Sequence, residues 1–373
     1  MIYDFLVIGG GIAGASAAYE LAAHGTVLIV ETEDSAGYHA TGRSAALFTR
    51  NFGGPIVRKI NAFSSDFFHT PPVGFCETPL LTPRGCLTVA APADAADLDA
   101  LLALSEPGEE IREIDPKDAC DMVPFMRSDR IARAVYEANV TDIDVATLLL
   151  SYLKGAKARG AVLMTKQPVM ALSRDAGVWK VQTAKDSFSA AKVINASGAW
   201  ADQIGAMAGA RSIGLVPRRR TAIIINAPDG IDCAGLPAID FAGSDAYLKP
   251  EAGKLLASPG DATQTEPHDA WPDDMDIAML ADWIGQETTI EVTKIEHSWA
   301  GLRSFVADGA PVVGLDPVLP DFFWLAGQGG YGIMMSPVLA MLTSDLCTGT
   351  SSAFADQFKQ ALSPQRMFGV VDK

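Results

Sequence analysis

The chain has 373 residues, 29 basic and 45 acidic side chains and a formal net charge of −16. That balance argues against nucleic acid or an anionic membrane surface as a partner. Five scattered cysteines without a CxxC pair fit neither a disulfide framework nor a zinc site, so a reducing compartment and no metal are expected. No basic-then-apolar leader and no run of about eighteen apolar residues occurs, so the sequence predicts a cytoplasmic protein without a transmembrane segment. The length predicts one large domain or two interleaved ones.

Tyr3 to Ile8 is a short apolar run suited to a parallel strand buried on both faces. It leads into Gly9-Gly10-Gly11-Ile12-Ala13-Gly14, a GxGxxG, then into a small-residue helix from Ala15 to His24, closed by Gly25. A second strand, Thr26 to Val30, ends at Glu31. Each part has a physical role in a dinucleotide cradle. Gly9 makes the tight turn, and Gly11 lets backbone approach a pyrophosphate at the helix N-terminus. Gly14 allows close helix–strand contact, and Glu31 accepts from a ribose hydroxyl. An acid at the end of the second strand disfavours a 2′-phosphate, whereas NAD and FAD both fit this unit.

Further along, residues 36 to 46 form a glycine- and hydroxyl-rich loop suited to folding over a long cofactor. Helices are predicted from Pro55 to Phe68, Pro92 to Leu104 and Asp144 to Arg159, the last with Leu148, Leu149, Tyr152 and Leu153 on one face. Strands are predicted at Cys86 to Ala90, Ala161 to Met164, Val178 to Thr183 and Lys192 to Ile194. Residues 212 to 300 read as β-rich, with a strand from Thr289 to His297 and an acidic helix near 272 to 286. The tail from Phe322 to Leu346 reads as a buried strand, a glycine turn and a helix.

The segments GGGIAGAS, GYHATGRSAA, VINASGAWAD, YLKPEAG, HSWAGLRSFVADGAPVVG and AGQGGYGI together resemble the D-amino-acid oxidase-like superfamily of FAD enzymes, and within it D-arginine dehydrogenase, over nearly the whole chain. The resemblance implies an α/β fold in which a Rossmann-type FAD-binding domain interleaves with a mixed-sheet α+β substrate domain. Residues 1–52, 136–211 and 301–373 would form the first, and 53–135 with 212–300 the second. It implies non-covalent FAD held by Gly9, Gly11, Ala13, Gly14, Glu31 and Thr32, by Thr41, Gly42, Arg43, Ser44, Ala45 and Ala46, by Val169 and Gly198, and at the flavin's pyrimidine end by Gly330, Tyr331, Gly332 and Ile333. Arg303, Arg220 and Tyr247 match carboxylate-binding positions, and a bidentate arginine is the best partner for the handle all amino acids share. Arg218 and Arg219 are expected to form a solvated edge, and His39 and His297 to serve packing or hydrogen bonding.

The departures from the resemblance matter as much. Cys86 stands where D-arginine dehydrogenase has a glutamate for the substrate guanidinium, Leu47 where it has a histidine and Phe52 where it has a tyrosine. With Tyr331, these residues predict a pocket for a neutral or apolar side chain, because a buried cation without its carboxylate costs several kcal/mol. The expected reaction is oxidation of the CH–NH bond of such a D-amino acid, giving an imino acid, then a 2-oxo acid and ammonia. Dioxygen or a quinone would be the electron acceptor. The alternatives are oxidation of an N-methyl amino acid or a 2-hydroxy acid, a non-catalytic flavin subunit, and an NAD-linked dehydrogenase.

Overall fold

The structure, a computed structural model, describes residues 1–106, 111–350 and 352–368. Two sheets organise it. In the first, the strand Ile2–Ile8 runs parallel to Val27–Val30 on one side and to Ser187–Asn195 on the other. Val162–Met164 and Phe322–Ala326 extend the parallel set at its two ends. Val27–Val30 and Phe322–Ala326 are buried at every position, as apolar strands covered on both faces must be. The helices Ile12–Leu21, Val145–Ala158 and Gly332–Thr348 pack on one face. An antiparallel ribbon, Val169–Asp175 with Val178–Thr183, continues the sheet beyond Ser187–Asn195. Ile8, Val30, Asn195 and Ala326 therefore end along one edge, where open α/β sheets form their ligand crevice.

The second sheet is mixed. From Thr263–Gln264 it passes through Val216–Ile225, Lys254–Ser258, Tyr247–Glu251, Ala238–Phe241, Cys86–Ala90 and Arg133–Glu137 to Ile111–Ile114. The strand Ile295–Phe305 joins the free side of Val216–Ile225. Period-two alternation decides which side chains face where. Leu87, Val89, Ile239, Phe241 and Leu248 enter a core closed by Leu280 and Ile284 of the helix Asp274–Glu287. Cys86, Asp240 and Tyr247, on the alternate positions, turn to the opposite face. A small sheet of Leu47–Phe48, Leu81–Pro83 and Thr141–Ile143 bridges the two halves.

This is the mixed α/β architecture that the sequence predicts. Several elements differ in extent. The helix predicted from Pro92 spans only Asp97–Leu102, after a run of turns from 92 to 96. The strand predicted at Thr289 to His297 begins at Ile295 and continues through Gly301 to Phe305, held by ten register pairs with Val216–Ile225. Among the segment boundaries expected from sequence, 135/136 and 300/301 fall inside strands of the second sheet, and the helix Pro55–His69 packs into the core of the first. The parts of those segments at 107–110, 351 and 369–373 lie outside the described residues.

Candidate active site

One cavity of about 910 Å³ runs from the carboxyl edge of the first sheet to the face of the second. Its first end is the glycine turn. Gly9 has φ +106°, and a Cβ there would stand 2.5 Å from the Ala196 carbonyl oxygen. A Cβ on Gly14 would stand 1.9 Å from the Gly9 carbonyl oxygen, so this glycine lets the helix close onto the turn from behind the cavity wall. The helix Ile12–Leu21 begins at Gly11 with no side-chain cap, and Thr41 Oγ1 accepts from Ile12 N at 3.0 Å. The Glu31 carboxylate accepts from Gly10 N at 2.6 Å and from Glu33 N at 2.9 Å, which ties the acid to the glycine turn. Thr32, Ala13, Val169 and Gly198 line the same end.

The loop after Gly37 folds over the middle of the cavity. Gly42 N donates to the Gly37 carbonyl, which turns the loop tightly but leaves Gly42 off the lining. Arg43, Ser44, Ala45 and Ala46 line it. Arg43 fastens this loop to the second sheet by donating to the Ala270 and Ala300 carbonyls and pairing with Asp269, while Trp299 Nε1 donates back to the Arg43 carbonyl. His39 lines the cavity too, with Nε2 2.9 Å from Glu33 Oε1 and its ring against Trp200.

At the far end Gly330, Tyr331, Gly332 and Ile333 line the cavity, where the helix Gly332–Thr348 starts without a side-chain cap. Opposite stand Arg303, Arg220 and Tyr247. Neither arginine forms an ion pair among the described residues, and the buried Arg220 Nε has no hydrogen-bond partner. Burial first, and then the neighbouring Arg303 charge, lower the Arg220 pKa from its ordinary value. Gln328 Nε2 is a second buried donor without a partner on this wall. Two like charges and an idle amide around one space call for an anion with several acceptors. The neighbouring arginines differ: Arg218 is exposed, whereas Arg219 is no solvated edge, since it pairs with Asp276 at 2.6 Å and with Asp261 at 3.5 Å.

Leu47, Phe52 and Cys86 also line this end, and Phe52 packs edge-to-face on Tyr331 with centroids 5.6 Å apart. The apolar pocket expected from them is nevertheless incomplete, because sequence reasoning missed Asp240 and Glu137, which line the same wall. Cys86 pairs across the sheet with Glu137, and its Sγ lies 3.6 Å from Asp240 Oδ2. Burial, with the Asp240 and Glu137 charges, pushes the Cys86 thiol well up, so it stays protonated. Burial raises the Asp240 carboxyl to about 6. Glu137 is buried and accepts from Thr49 Oγ1 at 2.6 Å and Asn51 Nδ2 at 3.0 Å. The apolar neighbours of Asp240 in the sequence make it read as an ordinary strand residue; only the pairing of Ala238–Phe241 with Cys86–Ala90 shows where it points.

Among the described residues no group of three or more histidine, cysteine or acidic side chains is placed to hold a metal, and no helix is long and apolar enough to cross a membrane. The residues fit FAD. The cavity is long, two helix N-termini begin on it, and its far end carries unpartnered donors suited to an electron-rich ring and a carboxylate.

Comparison with known proteins agrees with the geometry. Glycine oxidase of Geobacillus kaustophilus is 24% identical over 373 residues, covering 94% of each chain. Human mitochondrial dimethylglycine dehydrogenase is 26% identical over 284 residues, 72% of this chain and 32% of that protein. Among solved structures, the G. kaustophilus glycine oxidase superposes with a TM-score of 0.83 at 24% identity, and L-proline dehydrogenase from P. horikoshii with 0.84 at 21%, each covering 98% of both chains. The family model described as FAD dependent oxidoreductase, DAO, matches residues 4–346. With a cavity shaped for the cofactor and a match over nearly its whole length, the chain belongs to the DAO family of FAD-dependent oxidoreductases.

Proposed function

We propose that this enzyme oxidises the C–N bond of an α-amino acid, in the D-configuration that the sequence resemblance implies, giving an imino acid that hydrolyses to a 2-oxo acid and ammonia. The observation that carries the reading is the pair Arg220 and Arg303, both lining the cavity beside Gly330, neither in an ion pair among the described residues, with the buried Arg220 Nε left without a hydrogen-bond partner. Their guanidinium groups hold the substrate carboxylate, and the Tyr247 hydroxyl adds a third donor on the same wall. That grip fixes Cα against the Tyr331–Ile333 segment, and positioning of this kind is the protein's main contribution when a cofactor carries the chemistry. Held along the glycine turn and the Gly330–Ile333 segment, FAD would supply the two-electron acceptor for the Cα–H bond, with dioxygen or a quinone as the final acceptor. No side chain has to act as a strong base, because the amine needs only to be neutral before oxidation. The FAD is held non-covalently by the segments that line the cavity, and denaturation is expected to release it.

Anaerobic bleaching of the yellow enzyme by a panel of D- and L-amino acids, N-methyl amino acids and 2-hydroxy acids tests this reading; bleaching by 2-hydroxy acids alone would overturn it. A second reading, oxidation of an N-methylated glycine, is favoured by the similarity to proteins named dimethylglycine dehydrogenase and sarcosine dehydrogenase. Faster bleaching by sarcosine or dimethylglycine than by any primary amino acid would select it.

A further inference from the structure

The wall of the second sheet is polarised across its strands. Arg303 and Arg220 stand on the neighbouring strands Ile295–Phe305 and Val216–Ile225. Beyond Lys254–Ser258 come Tyr247, then Asp240, Cys86 and Glu137, each on the next strand over. All of these named side chains line the one cavity. Three strand spacings separate the strand of Arg220 from that of Asp240, about 14 Å of wall with two arginines, and Asp245 acting on Arg220, at one end and carboxylates without a cation at the other.

The acidic end is not neutralised from within. Asp240 has the weak Cys86 thiol as its donor and no ion pair among the described residues. Thr49 and Asn51 supply Glu137 with neutral hydrogen bonds. Lys249 and Arg84 are engaged elsewhere: Lys249 pairs with Asp142 and Glu251 at 3.0 Å each, and Arg84 with Asp142 at 2.6 Å. A wall of this kind complements a dipolar ligand with its anion at the arginines and a positive group at the carboxylates.

We propose that Asp240, backed by Glu137, sets the side-chain specificity of the site and selects an amino acid whose side chain ends in an ammonium or guanidinium group, with its carboxylate held by Arg220 and Arg303. The proposal rests on the amino-acid reading above and reverses the expectation drawn from Cys86, because the acid missing at that position stands on the adjacent strands. Cys86 is the small residue that leaves the Asp240 carboxylate room to face the ligand. The titratable groups facing Asp240 across the sheet are Cys86, Glu137 and Tyr247, and none of them is a cation. Asp240 is therefore the group whose ionisation follows pH near 6. Selection for a cation is expected to strengthen as pH rises through that value.

The test is anaerobic flavin reduction in the holoenzyme, comparing D-ornithine, D-lysine and D-arginine with the uncharged D-norleucine and D-methionine between pH 5 and pH 8. The cationic substrates are expected to lead by about tenfold or more at pH 8, with the lead shrinking toward pH 5. D240N is expected to cut the ratio of D-lysine to D-norleucine by about tenfold or more, with E137Q having the same sign and a smaller effect. Flavin absorbance reports whether each variant is loaded, and the wild-type pH series decides the matter if D240N does not fold. Equal or better reduction by the neutral substrates at pH 8, or an unchanged ratio in loaded D240N, would overturn the proposal and leave the amino-acid reading intact. Reduction by none of the amino acids would overturn both.

Discussion

The Arg303 guanidinium rests against Gly330: a Cβ on that glycine would stand 3.0 Å from Nη1 and 3.1 Å from Nε and Cζ. The glycine is required here by space rather than by an unusual backbone angle. Gly330→Ala is therefore expected to push the guanidinium off its position while the flavin stays bound. A shift of about 1 Å in a positioning group can cost about a hundredfold. Steady-state kinetics on the loaded variant should show a fall in kcat/KM of at least about tenfold, and unchanged kinetics would remove Arg303 from substrate positioning.

Arg303→Lys keeps the charge and loses the planar fork, so it is expected to raise KM more than it lowers kcat. Arg303→Leu removes the charge as well. Losing one partner of a buried ion pair costs about 2–5 kcal/mol, or roughly thirty-fold to several thousand-fold in kcat/KM. The order wild type, lysine, leucine should appear in titrations with a carboxylate inhibitor, and a leucine variant that binds the inhibitor normally would contradict the assignment.

Asp240 makes a stability prediction that does not depend on substrate. Its pKa is raised from 3.8 to about 6 by burial, so between those values the folded chain holds a proton that the unfolded chain has lost. Stability therefore falls as pH rises from about 4 to about 6, by up to about 3 kcal/mol for this group alone. Asp240→Asn is expected to raise Tm at pH 7 and to match the wild type near pH 4. Thermal melts without substrate measure this, and a lower Tm at pH 7 would contradict the burial argument.

Gly14→Ala places a methyl group 1.9 Å from the Gly9 carbonyl oxygen, which neither helix nor strand can yield without opening the turn. The expected outcome is a chain that accumulates poorly and purifies without flavin, read from the ratio of flavin to protein absorbance.

The cradle was legible because its signal is local: a strand, glycines, a helix, a second strand and an acid follow one another from Tyr3 to Glu31, and neighbours in sequence are neighbours in space. The GRSAA loop and the GQGGYGI turn were legible as motifs for the same reason. Asp240 and Glu137 were not, since the wall they share is made by strands that pair across long stretches of sequence, Glu137 with Cys86 and Ala238 with Cys86. Cys86 lines the cavity together with Asp240 and Glu137, and its own position in the sequence could not report what those adjacent strands contribute. The extent of Ile295–Phe305 escaped for a related reason: its ends are set by the distant strand Val216–Ile225, whose Arg220 pairs with Gly301 and keeps the ladder continuous.

The Arg43 clasp has a consequence for how the enzyme comes into being. The glycine turn is made well before the residues that fasten the loop covering it, namely Asp269, Ala270, Trp299 and Ala300. More than two hundred residues separate Arg43 from those partners. Closure over the cofactor therefore waits for that later region, and a truncated product lacking residues 269–300 would carry the glycine turn without the contacts that fasten its covering loop.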